Sequence, residues 1–441
     1  MVLWWSRRRL RFRLLILPPT LLLLVLVILP NDSNIRLAIH YFSPSSPFAN
    51  DRWFSQPPQH PVKWHDDVAI ILKSGFGTQR RISAWLDSVG EVGDLLIAAD
   101  FTTDLGKDFV HHGRQLLVHD VVGQMMKQGL FPDRLSHQRL ERYRKLRNAI
   151  IDGDINLAND LSKAYGWELD AMKFISSLEL AYKTMPDKDW YLLVDDDTYI
   201  LQPSMEALLG HFDPSFPYYI GNGVGNYDGR FAHGGSSVVL SQAAMRRLFA
   251  NPRLVIAAHH DSLTDPFGDH LLAATLMKLG IYLEEEHCRY FNGERPVATK
   301  IRADRFCAPI VSFHGLSSPT EMRNTGRTFR DAPYLIRWID LWGIYDAPQL
   351  SAFAAEPIRR NWDHVGRLDE YTKTFPNTKA AKDCLKACHD WSNCLAWTWD
   401  VEKELCHVSP WMIVGEAAED KVSGLDLPRV KRLARACRAL T

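Results

Sequence analysis

Trp190-Tyr191-Leu192-Leu193-Val194-Asp195-Asp196-Asp197-Thr198-Tyr199-Ile200 decides how the chain is read. Five consecutive apolar residues running into three aspartates predict a buried, parallel strand that ends at a carboxylate cluster. In an open α/β sheet, ligands sit outside the carboxyl ends of such strands. Asp195 and Asp197 are two apart, so in extended backbone they project to one side. Two hard oxygen ligands on one side suit Mg²⁺ or Mn²⁺, and such an ion can neutralise a diphosphate. The bland alternative is a solvated acidic loop or a helix cap after a core strand.

Around this strand the chain alternates. Val68–Leu72 predicts a strand followed by the glycine-rich turn Lys73-Ser74-Gly75-Phe76-Gly77, and Thr78 is placed to cap a helix running to about Val89. Leu95–Ala99 predicts a second strand and Gln115–His119 a third, each closed by an aspartate. Gly166 opens an amphipathic helix through Lys183 that leads into the aspartate strand. This alternation implies a mostly parallel sheet flanked by helices on both faces, a Rossmann-like α/β class. The turn after the first strand is neither G-x-G-x-x-G nor a P-loop, so dinucleotide and P-loop binding find no support.

The N-terminus sets the compartment. Arginines 7, 8, 9, 11 and 13 precede 16 uncharged residues, Leu14–Leu29. Those residues span about 24 Å as a helix, and counting from Leu10 about 31 Å, enough for a ~30 Å hydrocarbon core if Arg11 and Arg13 snorkel. A cleaved signal peptide fits less well, because Asn31-Asp32-Ser33-Asn34 offers no small-x-small site. The expectation is a cytosolic tail (1–9), a single-pass signal anchor (10–30), a proline-bearing stem (31–65) and a luminal remainder, with the Golgi as the compartment. The chain has 441 residues, 46% hydrophobic and 24% charged, with a formal net charge of zero. That suffices for a large domain plus a small one and argues against nucleic-acid binding.

All seven cysteines follow residue 287. Cys384, Cys388, Cys394 and Cys406 cluster, and in an oxidising lumen they read as a disulfide framework with three possible pairings. Cys288 and Cys307 are candidates for a further bridge, which leaves Cys437 over.

Three later segments carry polar residues of interest. Gly234-Gly235 precedes the strand Val238–Leu240, and paired glycines let backbone approach a ligand, although a tight turn would use them equally well. Gly268-Asp269-His270 opens a helix through Lys278, where Asp269 could simply favour the macrodipole. Val311-Ser312-Phe313-His314 is a short strand-like run with one histidine, which alone would be structural.

Taken in order, Asp195–Tyr199, the glycine pair, Gly268-Asp269 with Leu279-Gly280, and Ser312-Phe313-His314 resemble the fringe-like branch of glycosyltransferase family 31. Gly166-Trp-x-Leu-Asp-x-x-Lys-Phe174 and Phe231-Ala-His-Gly-Gly235 are similar to its fungal-type members. The resemblance implies a GT-A fold over residues 66–345, a UDP-sugar donor, Mn²⁺ (or Mg²⁺) and inversion at the anomeric carbon. It assigns Asp195, Asp197 and His314 to the metal and Asp269 to the base, with Lys73, Asp195, Asp196, Gly234 and Gly235 expected to contact the donor. The glutamate usual before the base is Gly268 here. Beyond a linker (346–370), residues 371–425 resemble a PAN/apple-type module, followed by a basic tail (426–441). The partners implied are a nucleotide-sugar donor and a glycan or glycoprotein acceptor. The alternative is a non-catalytic luminal protein that binds glycans or protein. If the small module only binds, its removal from about residue 371 should spare chemistry.

Overall fold

The structure, a computed structural model, describes residues 28–43, 54, 56–90, 92–102, 109–131, 137–332, 334–345, 350 and 352–438. A six-stranded sheet organises the large domain, in the order Val118–Asp120, Asp94–Ala99, Val68–Lys73, Trp190–Asp195, Val238–Ser241, Tyr219–Gly221. The first four run parallel. Val238–Ser241 is antiparallel to both of its neighbours, so the sheet is parallel-dominated rather than uniform. Side chains alternate across it with period two. Val68, Ile70 and Leu72 enter one apolar core with Trp190, Leu192 and Val194, while Ala69 and Ile71 enter the other with Tyr191 and Leu193. Burial on both faces explains why these strands read as unbroken apolar runs.

Local detail departs from the sequence reading in four places. Thr78 does not cap the first helix: it lies in a 3₁₀ turn, Phe76–Thr78, and its hydroxyl accepts from Gly75 N at 3.2 Å, so the helix starts at Arg80. The predicted strand 115–119 is split between a hairpin strand, Arg114–Leu116, and the sheet strand Val118–Asp120. The helix expected from Gly166 to Lys183 is two helices, Ile155–Asp170 and Lys173–Thr184, broken so that Lys173 can turn into the sheet edge. Part of the expected stem is also structured: helix Asn34–Phe42 buries Leu37 and docks on the domain, with Asn31 donating to Lys278 O and His40 bonding Leu283 O.

No helix among the described residues is long and apolar enough to cross a membrane. The expected anchor lies almost entirely outside the described residues.

The C-terminal part forms a second sheet of five antiparallel strands, with helix Ala381–Asp390 against it. Cys384–Cys406 and Cys388–Cys394 bridge within the cluster, one of the three pairings open from the sequence. The remaining expectation is overturned. Cys307 pairs with Cys437, and Cys288 is free and buried. The reason lies in the chain's end: the basic tail is a helix, Leu427–Arg438, that buries Val430 and Cys437 against the large domain. Nor is the small sheet a separate appendage. Ile301–Arg302 pairs with Trp411–Met412, Gly415 N donates to Val297 O at 3.0 Å, and Leu395, Met412, Val414 and Leu425 share one apolar core with Phe306 and Trp338.

Candidate active site

Three chain segments meet at the carboxyl edge of the sheet. The aspartate strand delivers Asp195 at its end. Because Val238–Ser241 runs antiparallel, the segment before it, Gly234–Ser237, falls at the same edge. The third segment arrives by a two-residue ladder in which Ser312 pairs with Ile200 and Phe313 with Tyr199, which carries His314 beside the aspartates. His314 Nε2 lies 3.4 Å from Asp197 Oδ1. Ligand atoms of Asp195, Asp197 and His314 all lie within 4.8 Å of one another.

Charge is arranged around this triad in layers. Lys73, 3% exposed, holds its Nζ 2.6 Å from Asp170 and 2.8 Å from Asp195 Oδ1. Burial opposes the ammonium charge, but Asp170 and Asp195 outweigh it and hold the pKa above its ordinary value. Lys173 repeats the pattern one layer away, 2.9 Å from Asp100 and donating to Ser74 O at 2.7 Å. Asp196 is buried in the turn that follows the strand, where Thr198 N donates to Asp195 O at 3.0 Å. It accepts from Ser74 Oγ at 2.6 Å and lies 3.2 Å from Arg81 NH1. Burial pushes its carboxyl up to about 6. Arg81 also reaches Asp197 at 3.3 Å. Although burial raises the Asp197 pKa, the His314 hydrogen bond and the His314 and Arg81 charges bring it below the ordinary value. The same contact raises the His314 pKa against the effect of burial.

The donor set fits a divalent transition metal. Asp195 Oδ1 is buried, with Lys73 Nζ 2.8 Å away. Two carboxylates and an imidazole suit Mn²⁺, with imidazole the ligand that favours it over Mg²⁺.

Asp269 stands on the far side of the glycine pair. It is half-buried in the first turn of Gly268–Lys278 and accepts from Gly234 N at 2.8 Å and His270 N at 2.9 Å. Gly235 touches the opposite partner, since a Cβ there would collide with the His314 ring. Gly268 is equally constrained: a Cβ would run into the Phe174 ring and lie 2.9 Å from Ala171 O. The glutamate expected before the base is therefore excluded sterically.

The predicted residues thus occupy two sides of one site, with the metal triad and Asp269 separated by Gly234-Gly235. Lys73 faces the carboxylates of Asp170 and Asp195, and Asp196 faces Ser74 and Arg81. Sequence reasoning gave no role to Arg81, Asp170, Lys173 or His233. Asp170, Lys173 and His233 stand inside the quoted motifs, so their positions were visible although their contacts were not. His233 bonds Ser236 Oγ at 2.8 Å, its ring lies 5.2 Å from that of His314, and burial lowers its pKa.

Residues 158–292 match the family described as Fringe-like. That span holds Asp170, Asp195, Asp197, Gly234, Gly235 and Asp269, and leaves Lys73 and His314 outside. A human relative, chondroitin sulfate glucuronyltransferase, is 36% identical over 67 residues, which is 14% of this chain. The match spans 8% of that relative's length.

Proposed function

We propose that this protein is a metal-dependent, inverting glycosyltransferase that moves a sugar from a UDP-sugar to a glycan or glycoprotein acceptor. The observation that carries the reading is the convergence of Asp195, Asp197 and His314 at the sheet edge, with Asp269 held across the glycine pair. The match to the Fringe-like family over residues 158–292, which hold Asp195, Asp197 and Asp269 but not His314, supports it.

Asp195, Asp197 and His314 would hold Mn²⁺, which supplies charge neutralisation for a departing diphosphate. Burial raises the Asp195 pKa and the Lys73 ammonium acts against that rise while orienting the carboxylate; Arg81 orients Asp197 and helps to lower its pKa. Asp269 takes the proton of the acceptor hydroxyl as that oxygen bonds to the anomeric carbon. The carbon–oxygen bond to the diphosphate breaks on the opposite face, and its electron pair leaves with the nucleotide. Gly234 N and His270 N hold the Asp269 carboxylate in one orientation for this transfer, which a positioned base accelerates by about 10²–10⁴-fold. The fungal-type character, the PAN/apple-type nature of the small sheet and the Golgi signal anchor belong to the same proposal.

Release of nucleoside diphosphate from a panel of nucleotide sugars, with and without Mn²⁺, tests the chemistry. Activity with at least one donor that is lost on chelation is the expected result; no donor bound or hydrolysed in Mn²⁺ refutes the enzyme. Topology is tested by protease treatment of sealed microsomes, in which a C-terminal tag should be protected.

A further inference from the structure

Trp167 leaves 71% of its surface in water and Phe267 46%. Their rings meet edge to face, 6.1 Å apart at 82°. A single exposed apolar side chain needs no explanation, but two large rings held together beside a candidate site do. Trp167 stands one helical turn before Asp170, the carboxylate that grips Lys73. Phe267 is two residues before Asp269. Between them, Ala171 O and the Phe174 ring press on Gly268, locking the end of one helix to the start of the other.

We infer that Trp167 and Phe267 form the platform on which a pyranose ring of the acceptor lies while its hydroxyl faces Asp269. This rests on the glycosyltransferase reading. A pyranose presents a face of C–H groups that suits the negative face of an aromatic ring, with hydroxyls around its rim. Polar groups flank the pair: Glu168 is bridged to Arg142, and Asp265 bonds His270 at 3.0 Å. A protein partner fits the patch poorly. Two aromatic side chains cover about 150–250 Å² each, against the ~800 Å² per side that a stable protein interface needs.

Saturation-transfer NMR on the full chain with a panel of methyl pyranosides tests the platform. Saturation should pass to the C–H protons of at least one pyranoside. Trp167→Ala and Phe267→Ala should each weaken that binding about tenfold, equivalent to ~1.4 kcal/mol. Trp167→Phe should keep most of it, and Phe216→Ala, an exposed ring at the opposite edge of the sheet, should leave it intact. Equal transfer in the alanine variants, or none to any pyranoside in the unmodified protein, overturns the platform. Donor hydrolysis by the unmodified protein is read in parallel. Hydrolysis with unchanged transfer in the variants sinks the platform alone; transfer that depends on Trp167 without any hydrolysis sinks the enzyme reading instead.

Discussion

At the residue scale, the site separates into groups that bind and a group that transfers a proton, and substitutions should separate them too. Asp197→Asn keeps the side-chain shape but removes a charge, so Mn²⁺ and donor affinity should both fall. His314→Ala should weaken Mn²⁺ while retaining some donor affinity. Asp269→Asn should bind metal and donor nearly normally while turnover drops by about 10²-fold or more. Donor affinity and turnover measured on all three variants check this division, and near-normal turnover in Asp269→Asn would place the base elsewhere. Gly235→Ala tests the packing behind it. A methyl group must displace the His314 ring, so Mn²⁺ affinity should fall although no ligand has been removed, as calorimetric titration would show.

At the scale of elements, the break between helices Ile155–Asp170 and Lys173–Thr184 is where buried charge is balanced. Lys173 faces Asp100 with both side chains almost wholly buried. Lys173→Met leaves that carboxylate uncompensated, a loss of about 3–5 kcal/mol. A thermal midpoint indistinguishable from wild type would show that the pair is not holding the helix start. A second case lies where the small sheet begins. His364 is buried against Trp342 and Phe353, bonds Ile413 O at 3.1 Å through Nδ1, and burial pushes its pKa down to about 4. The unfolded chain binds a proton near pH 6.5 and the folded chain does not, so the stabilisation is complete above about pH 6.5. It is lost as pH falls from there towards 4, amounting to roughly 3 kcal/mol at about 1.4 kcal/mol per pKa unit. Denaturant midpoints at pH 7.5 and 5 should differ in the wild type, and the difference should shrink in His364→Leu.

On the scale of the whole molecule, the small sheet is a structural partner of the large domain. Lys300 pairs with Asp369 at 2.9 Å and lies over the Trp411 ring, Arg295 reaches Glu416 at 3.0 Å, and Cys307–Cys437 ties the last helix down. Gly293, whose carbonyl faces His314 Nδ1 at 3.4 Å, is in the loop this sheet braces. Truncation from residue 371, expected from sequence to spare chemistry if the small module only binds, should instead unfold the large domain or abolish donor hydrolysis. A soluble truncated protein with wild-type hydrolysis would refute the coupling. Cys437→Ser removes only the clamp and should cost about 2–4 kcal/mol, read as a lower thermal midpoint with the two clustered disulfides intact by peptide mapping.

The sequence by itself determined the central parallel strands and the identity of the acidic cluster. Strands buried on both faces must be apolar throughout, and the apolar run of Trp190–Asp195 ends where the carboxylates begin. It also determined that Cys384, Cys388, Cys394 and Cys406 pair among themselves, because they are close along the chain. Tertiary structure alone decided what depends on long-range approach. His314 reaches Asp197 only through the ladder with Tyr199–Ile200, and Lys73 is turned to Asp195 by the parallel register of two strands. Cys437 finds Cys307 across 130 residues because the terminal helix folds back on the large domain. Contacts of that kind are set by how surfaces fit once elements pack, and residue spacing along the chain carries no record of it.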